Sequence, residues 1–193
     1  PSKEASEYIF NEVEQEVLST AGVVDQKRGH KTVWYGPIEY TYPGPGGRAV
    51  THDPKPMPQS IVDLKTNIEK ELGREEGYFD SVLINIYDEG IPLALHRDDE
   101  EALRLSDNTI GAVATLSLGA TTKVVISKAE VGGVYQEELI VKDGDIYEMP
   151  AGEFQDTYKH GVEGAEGKRI SITFRRTNRA EVEEAPNDFG RGE

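Results

Sequence analysis

RISITFRR, residues 169–176, alternates without a break. Arg169, Ser171, Thr173 and Arg175 leave one face of an extended chain, and Ile170, Ile172 and Phe174 leave the other. FDSVLINIY, residues 79–87, does the same, with Ser81, Leu83, Asn85 and Tyr87 on one face and Val82, Ile84 and Ile86 opposite. Two readings compete. In one, the polar faces meet solvent, as they do on most half-buried strands. In the other, both polar faces line the inside of a sandwich that holds an anionic ligand.

Moving outward from these two strands, further strands are expected at Ala94–His96, Ile110–Leu118, Lys123–Ser127, Val134–Val141 and Asp145–Met149. Turn residues separate them, among them Asp88-Glu89-Gly90, Gly132-Gly133 and Asp143-Gly144. Upstream, residues 6–20 space Tyr8, Ile9, Val13, Val17 and Leu18 as an amphipathic helix ended by Gly22. A second helix is expected over 59–73, with Ile61, Leu64, Ile68 and Leu72 as its apolar stripe. Between the helices, TVWYGPIEYTY at 32–42 reads as two short strands broken at Gly36-Pro37, and 43–58, rich in proline and glycine, reads as a loop. Helices first and strands afterwards point to an α+β fold in which a β-sandwich or jelly roll carries the site.

Composition narrows the chemistry. The chain has 193 residues, the size of one domain, and no cysteine. Disulfides, zinc ribbons, iron–sulfur ligation and thiol catalysis are therefore excluded, and a metal site must be built from His and carboxylate. No run of about 18 apolar residues predicts a membrane span, and no basic-then-apolar leader is seen in the first 30 residues. The net charge of −15 is uneven. Residues 1–20 and 180–193 each contribute −4, while Lys27-Arg28-Gly29-His30-Lys31 is a basic cluster. An acidic total opposes tight non-specific binding of nucleic acid but leaves room for a basic rim around a site.

IPLALHRDDE, residues 91–100, places His96 and Asp98 two apart, so both side chains leave the same face of an extended segment. His160 follows 62 residues later and can supply a third ligand. Two His and one carboxylate leave open positions on a metal, the arrangement of non-haem Fe(II) sites. Iron(II) needs two further electrons to activate oxygen, and a 2-oxo dicarboxylate can supply them. Arg169 and Arg175, six apart on one face, offer two forked cations for its carboxylates; Asn85 and Tyr87 can add neutral hydrogen bonds. The bland alternatives are a surface His beside acidic neighbours, a loop His, and a basic strand end at a surface. His30 and His52, in a charged turn and a proline loop, are read as uninvolved.

Taken in order, Asn85-x-Tyr87, His96-x-Asp98, His160 and Arg169-x5-Arg175 resemble the AlkB family of Fe(II)/2-oxoglutarate dioxygenases, over about Thr32 to Arg176. The segment also resembles the AlkB domains embedded in replicase polyproteins of plant RNA viruses, and a chain beginning at Pro1 fits a piece of something longer. The resemblance implies a double-stranded β-helix with N-terminal helices packed on it. It implies Fe(II), 2-oxoglutarate and O₂ as cofactors and cosubstrates, and oxidative demethylation of 1-methyladenine or 3-methylcytosine in single-stranded RNA or DNA. His96, Asp98 and His160 would hold iron. Arg169, helped by Tyr87, would meet the distal carboxylate of 2-oxoglutarate, and Arg175 with Asn85 the iron-chelating end. Asp99 and Glu100 would read the base's amino edge. Tyr42, with Tyr40 beside it, would stack the base against His96; Trp34 and Tyr35 are weaker candidates. Ser171 departs from the bacterial pattern, which has Asn there, and implies a weaker cosubstrate network.

This reading divides one domain, 1–178, into an N-terminal helix and basic turn (1–31), substrate-recognition strands and loop (32–58) and a helix with the catalytic core (59–178), followed by an acidic tail (179–193). It expects a methylated single strand as partner, RNA before duplex DNA, no membrane, and a monomer or a polyprotein domain, in the cytoplasm or alternatively the nucleus. Its rivals are a 2-oxoglutarate-dependent protein hydroxylase or demethylase and a non-catalytic RNA-binding module. Arg175→Lys is expected to raise the KM for 2-oxoglutarate and leave iron binding intact.

Overall fold

The computed structural model describes residues 1–20, 22–130 and 132–179. From residue 180 onward the acidic tail lies outside the described residues. In chain order the elements are α1 (Lys3–Ser19), β1 (Val24–Lys27), β2 (His30–Tyr35), β3 (Tyr40–Pro43), β4 (Ala49–His52), α2 (Gln59–Glu71), β5 (Ser81–Tyr87) and β6 (Leu93–His96). There follow β7 (Val113–Gly119), β8 (Thr122–Glu130), β9 (Gly133–Val141), β10 (Ile146–Met149), the short α3 (Phe154–Thr157), β11 (Lys159–Val162) and β12 (Arg169–Arg175). One sheet runs β1-β2-β5-β12-β7-β10, a second β6-β11-β8-β9, and β3-β4 form a separate hairpin; every pairing is antiparallel. This is the jelly roll expected, with the N-terminal helices packed on it.

Parity along the strands decides where the core sits. Ile170, Ile172 and Phe174 of β12 stand opposite Ile86, Ile84 and Val82 of β5 on one side, and Leu118, Leu116 and Ala114 of β7 on the other. These nine side chains, with Val33 and Tyr35 of β2, form one buried cluster. Val13 and Val17 of α1 and Ile61 and Ile68 of α2 cover it. The main core is thus between sheet and helices. Each such side chain contributes roughly 1.5–3 kcal/mol by leaving water, which makes the helices the cover that fixes this face of the sheet. The opposite, polar face of the same strands is therefore turned toward the second sheet, and the solvent-facing reading fails: every residue of β5 and β12 is buried.

Several local expectations need correction. Helix α1 begins at Lys3, because Ser2 caps it by accepting from the Ala5 amide. Tyr8 and Leu18 stand off its buried stripe and are exposed. The proline loop contains a strand: β4 pairs with β3, reversing through Gly46 and Gly47, both at positive φ. Proline-rich flanks mask the short alternation of Ala49–His52. β1 and β11 are likewise not expected from sequence: each is four residues long with one strong strand former, Val24 and Val162. Among the described residues no helix is long and apolar enough to cross a membrane.

Candidate iron and 2-oxoglutarate site

The polar face of the large sheet is a grid built by register. His30, Tyr87, Arg169 and Gly119 lie side by side across β2, β5, β12 and β7; the next row is Thr32, Asn85, Ser171 and Ser117, and the next Trp34, Leu83, Thr173 and Thr115. Between this face and the smaller sheet is a cavity of about 600 Å³. Asn85, Tyr87, Ser171 and Arg175 line it from one side, and His96, Asp98 and His160 from the other.

His96 and His160 are direct partners in the β6–β11 pairing, where the register shifts between His160 and Val162. Gly161 makes that approach possible. A Cβ there would lie 2.8 Å from the Leu93 carbonyl oxygen, a contact no other residue tolerates. The two rings come to 4.2 Å between centroids. Asp98 Oδ1 lies 3.4 Å from His96 Nε2 and 3.9 Å from His160 Nε2. The three ligand atoms all fall within 4.8 Å of one another. His96 Nδ1 donates to the Ala94 carbonyl at 2.9 Å, which leaves Nε2 as the atom offered to a metal. The backbone amide of Asp98 donates to Gln155 Oε1 at 3.0 Å. Gln155, buried on α3, carried no signal in the sequence.

The carboxylate of Asp98 is shared. Oδ1 faces the imidazoles, while Oδ2 accepts from Arg175 Nη2 at 2.8 Å and Nε at 3.3 Å. Burial alone would push the Asp98 carboxyl up, but the Arg175 guanidinium and the two imidazoles more than reverse this and hold it well below the usual range. Burial pushes His160 down to about 4, so it is a neutral ligand near pH 7. Burial works the same way on His96, yet the hydrogen bond and charge of Asp98 prevail and raise it.

The cationic side has hydrogen-bond donors to spare. Arg169 is 2% exposed, its Nε donates to Ser117 Oγ at 2.9 Å, and its guanidinium lies 5.7 Å from the Tyr87 ring centre. Both of its Nη atoms, and Nη1 of Arg175, are buried without a hydrogen-bond partner. Buried guanidinium N–H groups left unpaired are costly unless a ligand takes them. A His₂-carboxylate set beside two such cations fits Fe(II) with a dicarboxylate, and the basic-strand-end reading of Arg175 fails. Arg176 turns elsewhere, donating to the Tyr78 carbonyl at 3.1 Å.

Because Arg175 grips a metal carboxylate, the expectation that Arg175→Lys spares iron must be revised. Lysine cannot reproduce the fork. The variant is expected to bind Mn(II) about tenfold or more weakly, the usual cost of losing a partner to a metal ligand, as well as 2-oxoglutarate; calorimetric titration of each checks this.

Around the mouth, the aromatic candidates separate. Tyr40 is 1% exposed and one face of its ring is taken by Trp34, at 4.3 Å. Trp34 donates from Nε1 to the Ile38 carbonyl at 2.9 Å and packs with Leu103 and Ile110. Tyr35 belongs to the helix-side core. Tyr42 is only partly buried and lines the cavity, its hydroxyl held by Gln26, by Thr32 at 3.2 Å and by His52 at 3.1 Å. Of the two carboxylates after Asp98, Asp99 is exposed, while Glu100 turns inward with Oε2 buried and unpartnered. Burial, and next the charge of Asp98, push Glu100 up to about 7.

His30 and His52, read from the sequence as uninvolved, both sit in the cavity's surroundings. Both are buried, His30 against Asn85 and Tyr87, His52 behind Tyr42. The missed signal for His30 was parity: it shares the face of Thr32 and Trp34 on β2. Burial, then the charge of Lys55, lowers His52 to about 4. An unfolded His titrates near 6.5, so below that pH the unfolded chain takes a proton that the folded one refuses. Stability is expected to fall as pH drops from 6.5 and to level off below 4. Thermal midpoints at pH 7 and pH 5 should differ less in His52→Gln than in the parent protein.

Comparison with known proteins agrees with this geometry. The 2OG-Fe(II) oxygenase superfamily model matches residues 2–175. Replicase protein 1a of Grapevine leafroll-associated virus 3 is 32% identical over 157 residues, 81% of this chain and 6% of that protein. Alpha-ketoglutarate-dependent dioxygenase alkB homolog 3 of Bos taurus is 31% identical over 155 residues, 75% of this chain and 50% of the relative. The chain therefore spans half or less of these relatives. The solved structure of OsALKBH1 superposes with a TM-score of 0.57 at 16% identity, over 84% of this chain and 88% of that one, a likeness of fold. With a matching family model over nearly its whole length and a His₂-carboxylate cluster beside buried arginines, this chain belongs to the 2OG-Fe(II) oxygenase superfamily.

Proposed function

We propose that the domain oxidatively demethylates N-methylated bases, of the 1-methyladenine or 3-methylcytosine type, in single-stranded RNA or DNA. When bound, iron and 2-oxoglutarate supply the oxidation of a C–H bond by O₂, with 2-oxoglutarate converted to succinate and CO₂; the demethylated base leaves formaldehyde behind. The observation that carries the substrate reading is the cavity mouth. There a partly buried Tyr42 and the Pro43–Gly46 turn face the same space as His96, Asp99 and Glu100. A flat aromatic and carboxylates beside a metal suit a flat ring carrying positive charge, as these methylated bases do. Stacking is tolerant of base identity and suits an unpaired strand, which need not be opened.

In this reading the protein's own groups position and select. His96, Asp98 and His160 hold iron, and Arg175 orients Asp98 through Oδ2 while leaving Oδ1 toward the metal. Arg169 and Tyr87 receive one end of 2-oxoglutarate, Asn85 and Arg175 the other. Tyr42 stacks the base; the Gln26, Thr32 and His52 contacts keep its ring in place. Tyr40 supports the hairpin from within.

The decisive experiment is succinate formation from 2-oxoglutarate with and without methylated and unmethylated oligonucleotides, RNA and DNA in parallel. Stimulation by the methylated strand is expected. If no strand stimulates turnover and a methylated peptide does, the protein-substrate rival replaces this reading. Tyr42→Ala refines the test: stacking is worth roughly 1–3 kcal/mol per base, so coupled kcat/KM should fall about 5- to 150-fold. Slow uncoupled 2-oxoglutarate decay should be spared. Equal loss of both, with a lowered melt, would make Tyr42 a packing residue.

A further inference from the structure

We propose that His30 is a positioning residue for the 2-oxoglutarate end of the cavity, setting which end of the Asn85 amide faces the ligand. His30 sits at the start of β2, directly opposite Tyr87 in the antiparallel register, with Asn85 one row along on the same face of β5. It is 5% exposed and lines the cavity. Its Nε2 lies 2.9 Å from Asn85 Oδ1, and its ring stacks on Tyr87 at 4.3 Å between centroids with 22° between planes. Tyr87 is thus flanked by the imidazole from β2 and by the Arg169 guanidinium from β12. Gly29, at positive φ in the turn just before His30, is held close to Ile91, where a Cβ would lie 2.9 Å from Cγ1. The turn that carries His30 is therefore packed closely against Ile91.

The physical content is one of sign. An amide has an accepting end and a donating end, and a carboxylate ligand only accepts. A donor at His30 Nε2 holds Oδ1 toward β2 and leaves Nδ2 as the end available to a carboxylate. Without that donor the amide is free to turn, and its oxygen then opposes the ligand's oxygens. Either the neutral Nε2–H tautomer or the imidazolium donates here, so the role does not depend on titration. It rests on the dioxygenase's cosubstrate and not on the nucleic-acid reading. A protein that binds 2-oxoglutarate but is stimulated by no oligonucleotide would sink that reading alone.

The test is equilibrium binding of 2-oxoglutarate to the Mn(II)-loaded protein by calorimetry, with Mn(II) affinity and the melt measured beside it. His30→Phe keeps a ring against Tyr87 and removes the donor. It is expected to weaken 2-oxoglutarate about 3- to 10-fold, the worth of one hydrogen bond, with Mn(II) affinity unchanged. His30→Gln, which keeps an N–H donor, should recover most of the loss. In an Asn85→Ala background His30→Phe should add nothing, because the group it positions is gone. Wild-type affinity in His30→Phe, Gln no better than Phe, or the same loss in the Asn85→Ala background would each overturn the proposal. Should the Phe variant fail to fold, His30→Gln is compared with His30→Asn, whose shorter arm cannot reach Asn85. The same difference between these two is expected, and its absence overturns the proposal equally.

Discussion

Asp98→Ala is expected to lose metal, turnover and stability together. The first two losses follow from its place as one of three ligands: with Oδ1 gone, two imidazoles remain. The third follows from Oδ2. Asp98 is 2% exposed and Arg175 5%, so the substitution leaves a buried guanidinium without its carboxylate. Breaking a buried pair by removing one partner costs about 3–5 kcal/mol. His96→Ala and His160→Ala should also abolish succinate production and Mn(II) binding, yet neither strands a charge, so their denaturation midpoints should stay nearer the parent's. Succinate assay, Mn(II) titration and urea unfolding on the three variants check this. A variant retaining more than about a tenth of the turnover, given typical losses at metal sites, would remove its residue from the triad.

Arg169→Met should separate function from stability with opposite signs. In the free protein both Nη atoms of Arg169 are buried and unpartnered, and its hydrogen bond is to the neutral Ser117. A buried cation held this way is a cost to the fold that an apolar side chain of similar reach removes. The thermal midpoint without ligand is therefore expected to hold or rise. Binding of 2-oxoglutarate should weaken at least about 30-fold, since truncating one partner of a buried charge pair costs 2–5 kcal/mol or more. Affinity within about threefold of the parent's would move the distal carboxylate to another partner. A site that sacrifices stability to keep a ligand's counter-charge in place is where local rules of good packing are expected to break.

The pairing of polar and apolar faces on β5 and β12 was legible because its period is two and the strands are seven residues long. So were the ligand types: His-x-Asp on an extended segment shares a face whatever surrounds it. Length alone did not decide the rest, since β3, β6 and β10 are four residues long and were legible. β4 lies between proline-rich flanks, and β1 and β11 each carry a single strong strand former, Val24 and Val162. In such segments the tertiary partner, not the local pattern, decides that a strand forms.

What the sequence by itself determined is therefore local: which side chains share a face, the absence of thiol ligands, and the chemical types available for a metal and an anion. The tertiary structure decided everything that depends on register and on which layer covers which face. It put helices over the isoleucine side of the large sheet, and so turned the arginine side inward. It brought His30 against Asn85, 55 residues away, and Arg175 against Asp98, 77 residues away. It closed Trp34 over one face of Tyr40 and set both Tyr40 and the less buried Tyr42 at the cavity. The reason is physical. A strand's period is written in its own residues, whereas its neighbours are chosen by backbone hydrogen bonds and by close approaches such as the one Gly161 permits, and these involve residues that no local window contains.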